Sequence, residues 1–239
     1  MSARPAFGGT ARTSPTSRAR GASRRTRRPV LSPLVLPGLE SGEGDSLESH
    51  GSVEGLAVDG VDLSGRDLSG VSLSECELRR VSAHETRLTS ARLLECRIDH
   101  VDAPVLHAER STWRDVEVTG SRIGALDAYD ADVRQTRITG CKLDWINLRS
   151  ASLEDVLLED CTIQELDLSG VTAARVAFVN CRADSVSLAH AKLSDVDLRG
   201  LAIGTISNLE GMSGATLDAH QVTALAPAFA SHLGIRVED

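Results

Sequence analysis

Residues 61–80 read VDLSG RDLSG VSLSE CELRR. The fives do not stop there: the chain divides without a gap into 29 consecutive pentads, from VDLSG at 61–65 to LAIGT at 201–205. The third residue of every pentad is hydrophobic, from Leu63, Leu68 and Leu73 through to Leu193, Leu198 and Ile203. At 41% hydrophobic content overall, such a run is no accident. The first residue is apolar in 24 pentads, Ser or Thr in four, and charged only at Arg66. A helix advances 100° per residue, so residues five apart would smear around its surface. In an extended segment, residues two apart share a face. Positions one and three therefore point inward, position two outward, and positions four and five turn a corner. Gly60, Gly65, Gly70, Gly120, Gly140, Gly170 and Gly200 all fall on position five, where a corner has use for glycine. A chain bent at a fixed angle every five residues closes into a coil, and the coils stack.

The cysteines suggest how many sides the coil has. Cys76 and Cys96 are 20 residues apart, and so are Cys141, Cys161 and Cys181. Twenty residues make four sides. All five cysteines occupy position one, so the spacing predicts buried thiols stacked about 4.8 Å apart along the coil axis. Trp113 falls on position three, and Ala103 and Ala108 hold the equivalent positions beside it. Phe178 likewise stands between Ala173 and Ala183. Close packing requires small residues beside large ones, so Trp113 and Phe178 are expected inside.

VDLSG, RDLSG and LDLSG resemble the A-(D/N)-L-x-x consensus of the pentapeptide-repeat family, over about residues 61–205, with fainter in-phase pentads from 51. The resemblance implies an all-β, right-handed quadrilateral parallel β-helix. Leu, Ile or Ala takes position three in most pentads and Phe only once, a departure that affects packing detail.

The domain organisation follows. Residues 1–48 are read as a disordered, basic Arg/Ser/Pro-rich tail, 51–205 as the β-helix, and 206–239 as a link and helical cap. The tail holds eight arginines and no acid up to residue 36, whereas the remaining residues carry 18 basic and 34 acidic groups, a net of −16. The tail's arginines suit acidic surfaces. SRRTRRPVLSPLVLPGL imitates an export signal, but Pro33 and Pro37 interrupt its apolar run and no small-residue cleavage site follows. No stretch has the 18 apolar residues of a membrane span. A cytoplasmic protein is expected. At the other end, Asp218 and Gln221 form a capping-box pattern, Val222, Leu225, Phe229 and Leu233 an apolar stripe, and Gly234 a stop. Pro227 should divide the helix. An open solenoid end needs such a cap; homodimerisation through the same C-terminal region is the alternative.

The sequence offers no catalytic constellation. Buried thiols are not nucleophiles, parallel stacked side chains do not converge on a zinc ion, and the seven histidines are scattered. No enzyme activity, metal or cofactor is expected. The role expected is a scaffold for protein–protein interaction, partner unknown. One corner places Pro104, Val105, Ala125 and Trp145 in an outward patch of low charge with Tyr129 on the next side, an aromatic surface of the kind that anchors interfaces. Some pentapeptide-repeat proteins mimic DNA and protect DNA gyrase from fluoroquinolones. Between 61 and 205 there are 24 acidic and 17 basic residues, about a third of the charge density of a duplex of that length. Gyrase binding is therefore the weaker alternative.

Overall fold

A computed structural model describes residues 25–36 and 38–238. The chain forms a parallel β-solenoid of about nine coils, closed at its C-terminal end by two short helices. Between residues 52 and 207 each strand residue pairs with one 20 positions later: Ser52 with Ser72, Val118 with Ile138, Leu158 with Phe178, Ile163 with Ala183. Four pentads thus make one coil. We call the four sides A (61–65 and every twentieth residue after), B (66–70), C (71–75) and D (76–80). Positions one and three fill a continuous core, with Val71, Ala91, Cys96, Val116, Ile163 and Val171 among its fully enclosed members. Two narrow channels, about 70 and 50 Å³, run along its axis and are lined by aliphatic side chains.

The exceptions to the apolar rule at position one are settled locally. Thr86, Ser111, Ser121 and Thr136 are all buried, and each hydroxyl donates to a backbone carbonyl within 3.0 Å, of Leu63, Ala108, Thr119 and Arg134 respectively. Buried hydroxyls need such partners. Arg66 turns its guanidinium toward the N-terminal turn, donating to the carbonyls of Gly44 (2.6 Å) and Leu47 (2.7 Å). Leu47 itself is fully buried.

The corners are of two kinds. On the B/C, C/D and D/A corners, position five takes a left-handed φ, as at Ser90, Asp155 and His100. At the A/B corner from residue 101 onward it does not: Val105, Ala125, Trp145, Glu165, Ser185 and Thr205 have no positive φ. Strands such as Asp102–His107, Arg122–Asp127 and Lys142–Asn147 bend through this corner, and their ladder skips position four. β-branched and aromatic residues tolerate the left-handed region poorly, and position five carries them here and at no left-handed corner. Gly200 departs from the expected use of glycine: its φ is not positive. A Cβ there would lie 2.1 Å from the Phe178 carbonyl oxygen, so close backbone approach is what requires glycine.

Both ends break the 20-residue register. Glu40–Gly42 pairs with Leu56–Asp59 in a 16-residue offset, and Ala215–Thr216 pairs with Val196–Asp197 in a 19-residue one. Helices α1 (Ala219–Ala224) and α2 (Ala226–His232) follow, with Pro227 in the first turn of α2 and Gly234 at a left-handed φ after it. The Asp218–Gln221 capping box forms in both directions. The Gln221 amide also donates to the carbonyls of Leu198 (2.6 Å) and Leu201 (2.8 Å), satisfying acceptors on the last full coil. The apolar stripe is only partly used: Leu225 is buried, while Val222 and Leu233 remain exposed.

The disordered tail expected over residues 1–48 needs correction from residue 25 onward; residues 1–24 lie outside the described residues. Residues 25–36 lie extended along the solenoid, and Glu40–Gly42 joins the first coils as a strand. Thr26 Oγ1 meets Thr216 Oγ1, Arg27 pairs with Asp195, the Val30 N–H donates to Asp155 (2.9 Å), and Arg97 donates to the Leu34 carbonyl (3.2 Å). Pro29, Leu31, Leu34 and Leu36 are half-buried, whereas Val30 and Val35 face solvent. Hydrophobic run and arginines together gain enough from the acidic, partly apolar wall beneath them to hold the segment in place.

Candidate interaction surface

The A/B ladder brings most of the sequence-predicted patch into one column. Ala125 pairs with Val105 on one side and Trp145 on the other, and Trp145 pairs in turn with Glu165. Pro104 is exposed; Val105, Ala125 and Trp145 are half-buried. Gly124 lets the coils close up here, since a Cβ on it would lie 2.5 Å from the Pro104 carbonyl oxygen.

Tyr129 stands on the neighbouring B side and is 42% exposed. Its position rests on Asp127, whose Oδ1 accepts from the Tyr129 backbone N–H (3.3 Å) and from Asn147 Nδ2 (2.8 Å). Asn147 Oδ1 accepts from the Arg149 N–H (3.1 Å), repeating the same turn one coil on. Sequence reasoning missed Asp127 and Asn147 as supports. The signal was present, in polar residues two positions before a turn residue on successive coils.

The inward group lies elsewhere. Cys76, Cys96, Cys141, Cys161 and Cys181 are unpaired and buried. Each thiol donates to the carbonyl two residues before it, at 3.2–3.4 Å. Neighbouring thiols also act on one another. The Cys96 thiol beside it draws Cys76 down to about 7, and the same contact pushes Cys96 up. Cys141 raises Cys161 to about 11, and Cys161 pushes Cys181 higher still. These are packing groups without access to a substrate. Trp113 and Phe178 are both buried. Trp113 Nε1 donates to Ser111 Oγ (2.8 Å), and the Ser111 hydroxyl donates in turn to the Ala108 carbonyl (2.6 Å). Ala103 and Ala108 beside it are fully enclosed. Among the described residues no cluster of His, Cys, Asp and Glu could hold a metal ion, and no helix is long and apolar enough to cross a membrane.

Part of the charge on the outer faces is paired, within and between coils. Arg97 lies between Glu77 and Glu117, Arg134 between Asp132 and Glu154, and Arg175 binds both Asp155 and Glu154 at 2.6 Å.

No curated protein matches the chain. Among solved structures, full-length QnrB1, a plasmid-mediated fluoroquinolone resistance protein, is 18% identical, with 80% of this chain and 94% of that chain covered at a TM-score of 0.33. HetL, a pentapeptide repeat protein involved in heterocyst differentiation regulation in the cyanobacterium Nostoc, is 18% identical, with 71% and 90% covered at a TM-score of 0.37. The family profile described as Pentapeptide repeats finds eight copies and matches residues 59–93. Beyond that match the same five-residue period continues in phase to residue 205 and coils four to a turn, and the chain is a pentapeptide-repeat protein.

Proposed function

We propose that this protein is a non-catalytic scaffold for protein–protein interaction, and that its partner surface is the A/B corner carrying Pro104, Val105, Ala125 and Trp145, together with Tyr129 on the neighbouring B side. The observation that carries the reading is the half-exposed Trp145, held on a continuous ladder beside Val105 and Ala125 with the exposed Tyr129 nearby. Aromatic anchors on rigid supports lose little entropy on binding. Residues 25–36 make their hydrogen bonds and ion pair with sides C and D and the C-terminal turn, and so do not cover this corner. The modest net negative charge of residues 61–205, 24 acidic against 17 basic groups, disfavours the gyrase-binding reading, because a duplex mimic needs a dense excess of negative charge. Five unpaired buried thiols suit a reducing, cytoplasmic setting.

The test is a pull-down comparing wild type with Trp145→Ala and Tyr129→Ala, with gyrase scored by name. Loss of specific partners from both variants supports the corner; identical partner profiles remove it. The exposed Val222 and Leu233 at the C-terminal end support a homodimer through that region, read by light scattering of the same preparations.

A further inference from the structure

The segment 25–36 sits on the C/D corner, diagonally across the solenoid from the Trp145 patch. Position five of side C runs along this corner as Glu75, Glu95, Asp115, Gln135, Asp155, Arg175 and Asp195, an acidic column broken at two places. Beside it, the outward position two of side D carries Leu157 and Ala177, and Ala177 is buried although it points away from the core. The wall is therefore acidic along one line, while the next is apolar at the two successive coils of Leu157 and Ala177 and charged at the other coils from Glu77 to Asp197.

The strap matches that wall in chemistry and in pitch. Arg27 donates through its backbone N–H (3.1 Å) and Nε (2.7 Å) to the Asp195 carboxylate, and the Val30 N–H reaches Asp155 Oδ1. Arg27 and Val30 are three residues apart, about 10 Å of extended chain. Asp195 and Asp155 are two coils apart, also about 10 Å. Leu34 is four residues beyond Val30, about 13 Å, and Arg97, which binds its carbonyl, lies three coils further along, about 14 Å. An extended chain laid across the strands thus meets the corner at about seven residues for every five coils. Pro29 and Pro33 fall between these contacts and carry no N–H that would need a partner there.

We propose that the C/D corner is a docking surface for an extended, arginine-bearing and proline-spaced peptide segment of a partner protein, and that residues 25–36 occupy it in cis. The specificity elements are Asp195 for a guanidinium, Asp155 for a backbone N–H three residues later, and the Leu157–Ala177 pair for apolar residues flanking that N–H. Tethering gives the cis segment a high effective concentration, so a partner binds only when the strap is loosened. This surface is distinct from the Trp145 corner and does not depend on it.

The probe is a fluorescein-labelled peptide of residues 24–36, RRTRRPVLSPLVL, titrated into the full chain and read by anisotropy. Against wild type, the Arg27→Glu chain is expected to bind the peptide about threefold to fivefold more tightly, because its own strap has lost a half-exposed ion pair. Adding Asp195→Lys to that chain re-pairs the strap with the charges reversed and should return peptide binding to the wild-type level or below. The Asp195→Lys chain alone should prefer a peptide carrying the Arg27→Glu change over the wild-type peptide, which also shows that the variant is folded. Equal affinity of the wild-type peptide for all three chains would overturn the proposal. So would a dimer formed by the Arg27→Glu chain and not by wild type in light scattering that excess peptide dissolves, which would assign the corner to a second copy.

Discussion

A tryptophan inside a channel lined by aliphatic groups needs room and an acceptor for its N–H. Ala103 and Ala108 supply the room, and Ser111 the acceptor. Ser111→Ala should cost about 1–3 kcal/mol, the range for leaving a buried donor unmade. Trp113→Ala should cost about 3–5 kcal/mol, as large-to-small core changes do. Both are measurable by urea unfolding, and a Ser111→Ala variant as stable as wild type would show that the hydrogen bond is dispensable. The thiols give a second test at this scale. Thiolate character alone would make Cys76 reactive, since its neighbour draws it to about 7, but its sulfur is enclosed. A thiol reagent should label none of the five cysteines in the native protein and all five in denaturant; rapid native labelling of Cys76 would mean that its coil opens.

Strands and corners carry the next level, and here the legibility of the sequence divides. The inward positions were readable because burial acts on every pentad alike, so the period survives even where Ser111 or Thr136 replaces an aliphatic residue. The A/B corner was not separated from the others, because position five was read for glycine alone; the absence of β-branched and aromatic residues from the left-handed corners was the available signal. Prediction of a disordered tail failed for residues 25–48 because composition reports whether a segment can make its own core, not whether it fits an existing wall. Of the partner patch, the column Val105–Ala125–Trp145 was legible from register, but its Asp127 and Asn147 supports needed the turn geometry. The strap also sets a pH dependence. The Arg175 guanidinium, then the Val30 N–H and the nearby Arg27 hold Asp155 below its ordinary 3.8, against the opposing cost of burial. A depressed carboxyl stabilises above the unfolded value, and that contribution is lost as pH falls through the lower folded one. Hydrogen exchange at the Val30 amide should therefore stay slow at pH 5 and accelerate, relative to an unstructured reference peptide, once the pH drops below about 3.8. A Val30 amide equally protected in an Asp155→Ala variant would refute the Asp155 contact.

As a whole, the molecule is a stack in which each coil mainly touches its two neighbours, the arrangement that lets solenoids unfold piecemeal. The segment 25–36 adds ties across several coils, from Thr216 and Asp195 to Arg97. Wild type is expected to unfold in urea in one sharp transition. Arg27→Glu should lower the apparent m-value, as the C-terminal coils come away before the rest. Equal m-values and midpoints would show that the ties add nothing to cooperativity.

Three residues of strap against two coils of stack also work as a gauge of length. Solenoids change size by whole coils, and removing one 20-residue coil leaves every side chain on its own face. Between Asp155 and Asp195, however, the loss of a single coil would shorten the wall by about 5 Å and leave the strap unchanged. Arg27 and Val30 could then no longer reach their carboxylates together. The core alone would accept the deletion; the strap makes the number of coils in this stretch a fixed quantity.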